Sequence, residues 1–402
     1  MRTTLLIIIS ILVFVCISCD NYEISDKQAD SFIKYYGVGM EDEGIRVITT
    51  EEGYLIMGTI ENPGRGRDIC IIQTDKFGNS IEPIRTYGGL FEDNGYAIKP
   101  HAGGYVIAGS TRRTEYSDLD IYLVQIDHTG DLVWDSIYGQ IRDDEAYDVL
   151  VLENGNLVVT GYSENYSVST GDRKKDILFL KTDRLGNRLK MKYTGTPEDD
   201  EAFSILQSGR IYMMAGYSNK LIAGSSQTQK TIYILRWAGE GPMDAAPLGN
   251  ALPAGSGSWV QTVVSESNNE YYLACNVRES QGNDVSVHVL KIDTLWNILW
   301  QDSYGERTIN AVSGLAIQNN SLYAVGTSTN ETNEENSGDI LILKTSLTGE
   351  NPVYYYTGDG ESYLGNGFDF APDGGYIITG TNFINTKSVI TLCKLNAEGT
   401  LQ

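Results

Sequence analysis

Histidine, proline and basic side chains are scarce in this chain, and each scarcity closes off a class of structure or function. Three histidines in 402 residues leave little material for a histidine-rich metal centre or a Ser-His-Asp arrangement. Lys and Arg number 30 against 53 Asp and Glu, a formal charge of −23, and no Lys/Arg cluster stands out. A nucleic-acid partner needs a basic surface to neutralise phosphate, so none is expected, and adhesion to an anionic membrane surface is disfavoured. The acidity suits the solubility of an exposed protein. Beyond the N-terminus no stretch carries the apolar period of an amphipathic helix. Of five cysteines, Cys16 and Cys19 fall in the N-terminal segment. Cys70, Cys275 and Cys393 each lie inside an apolar run of a different repeat, which reads as small buried hydrophobes and no disulfide framework.

What the chain has in quantity is Gly, 43, and Tyr, 26, against only 9 Pro, a balance suited to many short strands joined by tight turns. The stretch Tyr87 to Gly139 sets the pattern. It contains four short apolar or alternating runs separated by Gly, Asp and Asn, as in a four-stranded antiparallel meander. Tyr-Gly or a near equivalent marks junctions at Tyr36-Gly37, Tyr87-Gly88, Tyr138-Gly139, Tyr193-Thr194-Gly195, Leu248-Gly249, Tyr304-Gly305 and Tyr356-Thr357-Gly358, at intervals of 51 to 56 residues. Seven units follow, with a period near that of propeller blades. In most units the second run is read as a strand ending in Gly, as in Tyr54 to Gly58, Tyr105 to Gly109 and Leu157 to Gly161. The third run, DIYLVQID from Asp120 or DILFLKTD from Asp176, fits a strand sandwiched between neighbouring sheets.

The two ends complement one another. The seventh unit reaches Leu401-Gln402 without a fourth strand, whereas Ala29 to Gly37 looks like a fourth strand with no preceding three. Pairing them closes a ring and hides edges that would otherwise aggregate. The expected fold is therefore all-β, a seven-bladed β-propeller of four-stranded antiparallel blades over residues 30–402, closed by the N-terminal strand pairing in the last blade.

Residues 1–18 carry one basic residue, Arg2, then the apolar run Leu5 to Val15, and small or apolar residues ahead of Cys19. This is a secretory signal by length. Cys16-Ile17-Ser18-Cys19 resembles a bacterial lipobox with Cys19 as the lipidated residue, although Cys16 stands where that motif usually has Leu. Residues 19–29 would then be the lipidated cysteine and a polar tether. The units GGYVIAGS, DIYLVQIDHTGDLVW and YGG resemble the propeller repeats of Bacteroidetes-type secreted lipoproteins. That resemblance, over residues 30–402, implies the fold and an outer-membrane address on the surface or periplasmic side. It implies no reaction, because propellers host enzymes, lectins and scaffolds alike.

In a propeller, the junctions share a face with the loops between second and third strands, and ligands usually bind there. Six residues past the Tyr of the first four junctions stand Asp42, Asp93, Asp144 and Asp199, preceded by Glu41, Glu92, Asp143 and Glu198. One reading is a half-ring of carboxylates at the channel mouth that binds Ca²⁺ or a cationic group. The other is that each Asp caps its own turn through backbone N–H groups, which recurrence at one repeat position favours. No other cofactor is indicated. His101 and His128 fall in turns on the opposite face and His288 inside a sheet, so no catalytic residue is assigned. The longest loops, Tyr162 to Lys175, Tyr217 to Lys230 and Thr327 to Gly338, share the mouth face. With Tyr116, Tyr162, Tyr166 and Tyr217 near them, they would suit a glycan or peptide.

The function expected from these features is that of a monomeric cell-envelope lipoprotein, lipid-anchored to the outer membrane. It would bind a protein or glycan partner without catalysis. The alternatives are a carbohydrate-active enzyme using acids at the mouth, and a scaffold for outer-membrane assembly.

Overall fold

The computed structural model describes residues 31–37, 41–166, 173–221, 228–248, 257–267, 269–278, 284–305, 307, 309–329, 338–358, 362–384 and 387–401. The signal segment, Cys19 and the tether lie outside these residues, as do the centres of the three long loops. The described residues form 28 strands and no helix. They make seven four-stranded antiparallel blades in a ring, a seven-bladed β-propeller. Blades five and six are linked in addition by a single parallel pair, Val285 with Ile309.

Closure is as the termini suggested. Phe32–Tyr36 pairs antiparallel with Ile390 to Lys394, and so supplies the outer strand of the last blade. Four junction tyrosines extend this logic to their neighbours. The Tyr36 hydroxyl donates to the Gly78 carbonyl at 2.6 Å and the Tyr304 hydroxyl to that of Gly349 at 3.0 Å. Tyr87 and Tyr138 do the same to Gly130 and Gly186. Each acceptor sits in the turn between third and fourth strands of the following blade, so this bond staples one blade to the next.

Those turns are built by their first residue. Asp75, Asp183 and Asp293 each accept backbone N–H bonds from the residues two and four positions on, an Asx arrangement that fixes the reversal. The turns at Gly78, Gly130 and Gly186 use glycine at positive φ, whereas Trp296 occupies that place with φ 69°. Its ring packs against the blade-five core and lies 5.1 Å from the Arg236 guanidinium, which offsets a backbone strain of about 1–2 kcal/mol.

The second strands depart from the sequence reading. They do not stop at their glycines but run through them, as in Gly53–Glu61, Gly104–Arg112 and Leu157–Tyr166. The reason lies on the partner. Every first strand carries a β-bulge at one position, with Ile45, Tyr96, Tyr147, Phe203, Gln261, Ser313 and Asn366 as the extra residues. The bulge thrusts backbone at the second strand, so that a Cβ on Gly161 would lie 1.9 Å from the Glu145 carbonyl oxygen. Glycine here marks close backbone approach within a strand and not its end.

The core is divided among seven clusters, each filling the space between adjacent blades. Second and third strands together supply most of their residues, and each fully buried Val, Leu, Ile, Phe or Met side chain contributes about 1.5–3 kcal/mol. Cys70, Cys275 and Cys393 are free and buried in these clusters. Burial pushes their thiols well above the ordinary range, so they are packing residues and not nucleophiles.

Candidate functional site

The recurrent aspartates stand where first strands begin, and they are caps. Asp42, Asp93 and Asp144 are fully buried. Asp93 Oδ2 accepts the Gly89 N–H at 2.6 Å, Asp144 Oδ2 accepts that of Gln140 at 2.7 Å, and Asp42 Oδ1 that of Glu61 at 3.2 Å. In blade four the equivalent cap is Asp200, buried and bonded to the Thr196 N–H and hydroxyl. Asp199 lies one residue short of it, because Thr194 lengthens that junction by one. Its true counterpart is Asp143: Asp143 Oδ1 accepts the Leu119 N–H at 2.8 Å and Asp199 Oδ1 that of Lys175 at 3.1 Å.

The acidic predecessors are engaged locally. Glu41 pairs with Arg67 at 3.2 Å, Glu92 with Arg112 at 3.7 Å, and Glu198 with Lys174 at 2.8 Å. Thus the structure brings none of the eight together around a common point. Among the described residues, no group of three His, Cys, Asp or Glu side chains could hold a metal ion.

Burial pushes the carboxyls of Asp93 and Asp144 up to about 6, against the smaller opposing effect of their hydrogen bonds. A second aspartate, at the head of the preceding blade's third strand, adds to this. A Cβ on Gly139 would lie 1.9 Å from Asp120 Oδ1 and 3.1 Å from Asp144 Oδ2. The glycine of the junction therefore fits between two facing carboxyl groups.

The chemistry accessible at the mouth joins Tyr162 and Tyr217 to residues that sequence reasoning missed. On blades two to four the bulge residue is aromatic, and Tyr96, Tyr147 and Phe203 form an arc with ring centres 5.1 and 5.2 Å apart. Tyr162 and Tyr217, from the second strands, back this arc at 5.8 Å from Tyr147 and 5.9 Å from Phe203. Two glutamates tie it together. Glu145 accepts hydroxyl bonds from Tyr162 at 2.7 Å and Tyr96 at 2.6 Å, one on each oxygen. Glu201 accepts from the Tyr217 hydroxyl at 2.7 Å and from Lys175 at 2.8 Å.

Cations complete the arrangement. Lys175 Nζ lies 3.7 Å from the centre of the Tyr162 ring, and Lys230 Nζ lies 3.8 Å from that of Tyr217 and 5.7 Å from that of Trp259. Such contacts are worth about 0.5–2 kcal/mol each, more as water is excluded. Burial, reinforced by the nearby Glu145 or Glu201, raises the Tyr96, Tyr162 and Tyr217 phenols far above their ordinary value. Burial lowers the Lys230 ammonium. A signal for the site was present in the doubled motif, DDEAY at Asp143 to Tyr147 and DDEAF at Asp199 to Phe203. No other blade has it.

The rings of Tyr96, Tyr147, Phe203 and Trp259 are part-exposed. Both oxygens of Glu145 accept tyrosine hydroxyls, whereas the contacts of Glu201 fall on its Oε1. On the same face, Leu90, Tyr116 and Ile141 stand 67%, 90% and 84% exposed on junctions and a loop flanking blade two.

No family model and no curated protein matches the chain. Among solved structures, it is similar to the β-propeller domain of the Trilobed protease from Pyrococcus furiosus, with 12% identity, TM-score 0.51, and 89% of this chain and 94% of that one covered. It is also similar to the polysaccharide lyase Uly1, with 10% identity, TM-score 0.53, and coverage of 88% and 90%. At such identities the likeness is one of fold, and unrelated functions share this fold.

Proposed function

We propose that this chain is an exported propeller, lipid-anchored at the cell envelope through Cys19, which binds a glycan at its channel mouth without turning it over. The observation that carries the reading is the state of the mouth carboxylates. Glu145 and Glu201 are committed to tyrosine hydroxyls and Lys175, while the recurrent aspartates are buried caps. What remains accessible is an arc of aromatic rings beside ammonium groups, and apolar ring faces with adjacent polar donors suit sugar rings. Glycoside hydrolysis would instead need two unencumbered carboxyl groups facing one bond.

A polypeptide partner is the second reading, favoured by the exposed Leu90, Tyr116 and Ile141 on the same face. Affinity measurements on immobilised polysaccharides and peptide arrays separate the two. Retention of a polysaccharide, weakened at least tenfold by Trp259→Ala and Lys230→Ala, supports the glycan reading. Retention of peptides alone, weakened by Leu90→Ser and Ile141→Ser, assigns the face to polypeptide. The anchor has its own test. Labelled fatty acid should enter the wild-type protein and not Cys19→Ala, and label retained in that variant would remove the lipid from the proposal.

A further inference from the structure

We propose that the cleft between blades three and four, on the face opposite the mouth, binds an acidic saccharide through its carboxylate or sulfate groups. The cleft has a volume of about 580 Å³, within the range of small-ligand sites. Three cations line it, Lys181, Lys190 and Arg210, against one acid, Glu240, in a chain whose formal charge is −23.

The strands force these charges together. Lys181 and Lys190 are directly opposed across the third and fourth strands of blade three, where like charges destabilise a pair. Lys192 follows on the same side of the strand, since alternate residues share a face. The floor accommodates the charges. Lys190 and Lys192 each hold Nζ 4.9 Å from the centre of the Trp237 ring, which is only 1% exposed. Lys190 also donates to the Gly239 carbonyl at 2.7 Å and pairs with Glu240 at 3.1 Å. Arg210, exposed at the turn after the first strand of blade four, has no ion pair or hydrogen bond among the described residues.

An oxyanion seated between Lys181 and Arg210 would offset the opposed charges. The neighbouring polar groups, the amides of Asn156 and Gln207 and the hydroxyl of Tyr212, match sugar hydroxyls better than they match an apolar ligand. Residues from four separate hairpins meet here, which is why no Lys/Arg cluster is visible along the sequence.

The test is isothermal titration of the full chain with oligogalacturonate, dextran sulfate oligomers, neutral dextran oligomers and a hexaglutamate peptide, at low and moderate salt. Binding of the carboxylated or the sulfated saccharide is expected, and which one binds identifies the oxyanion. Affinity should fall at least tenfold in Arg210→Gln and in Lys181→Gln, weaken with salt, and be unchanged in Lys387→Gln, an exposed lysine of blade seven outside both sites. Arg210 is exposed on a turn, so its variant keeps the fold, checked by an unchanged thermal midpoint. The proposal is overturned if neither anionic saccharide binds, if binding survives both substitutions, or if neutral dextran or hexaglutamate binds equally well.

Discussion

Replacing Asp144 by Asn removes a buried charge while keeping the shape of the side chain, and the ring already contains the outcome. Blade six has Asn310 at the equivalent position. Its Nδ2 donates to the Arg307 carbonyl at 2.6 Å and its Oδ1 accepts the Ser328 hydroxyl at 2.7 Å. Asp144 instead carries a carboxyl that burial pushes up to about 6, with Asp120 and Asp143 facing it and adding to the effect. One of its oxygens, Oδ1, is buried without a hydrogen-bond partner.

In the unfolded chain an aspartate titrates near 4, so the folded state holds this proton more tightly by about 2 units, or at most ~3 kcal/mol. Relaxation of the structure around the buried charge reduces this to about 1–2 kcal/mol. The sign follows from the raised value. The penalty is fully present above about pH 6 and is relieved as the pH falls toward the ordinary aspartate value near 4. Asp144→Asn should therefore stabilise the protein by about 1–2 kcal/mol at pH 7.5, a gain that vanishes near pH 4. Denaturant melts followed by tryptophan fluorescence at both pH values measure this. A variant less stable than wild type at pH 7.5, or one displaced equally at both, would refute a buried charge at this position.

Three further outcomes test the architecture. Tyr304→Phe removes one blade-to-blade hydrogen bond in a buried setting and should cost about 1 kcal/mol, read from the same melts. Gly161→Ala, which places a methyl 1.9 Å from the Glu145 carbonyl oxygen, should cost about 3 kcal/mol or more, and it should lower affinity at the mouth by moving Glu145. Deleting the chain through Gly37 uncovers the strand Lys387–Leu395, so size-exclusion chromatography should show more concentration-dependent association than for the wild type.

The ring, its blade count and its closure were legible because they depend on repeated local signals: turn residues, alternation and complementary ends. Two features were not. The glycines of the second strands look like strand ends in sequence, and only the paired bulge, at residues such as Tyr96 and Tyr147, shows that they mark close approach. Counting from the junction tyrosine found Asp42, Asp93 and Asp144 but landed on Asp199 in place of Asp200, since one inserted residue, Thr194, shifts everything after it. The mouth itself was partly visible. Tyr162 and Tyr217 stand beside the long loops, whereas Glu145 and Glu201 are marked only by the doubled DDEA motif. Their distinction is that strand register sets them opposite Tyr162 and Tyr217, a relation between residues some 16 positions apart.

Binding without turnover is tested most directly by incubating the full-length protein with whichever polysaccharide it retains and following, in one sample, the bound fraction and the polymer's molecular mass. A stable bound fraction with no new reducing ends and no unsaturated products, lost in Trp259→Ala, is the expected result. Progressive shortening of the polymer, abolished by Glu145→Gln or Glu201→Gln, would show that the mouth is an active site and would contradict the reading of its glutamates as structural.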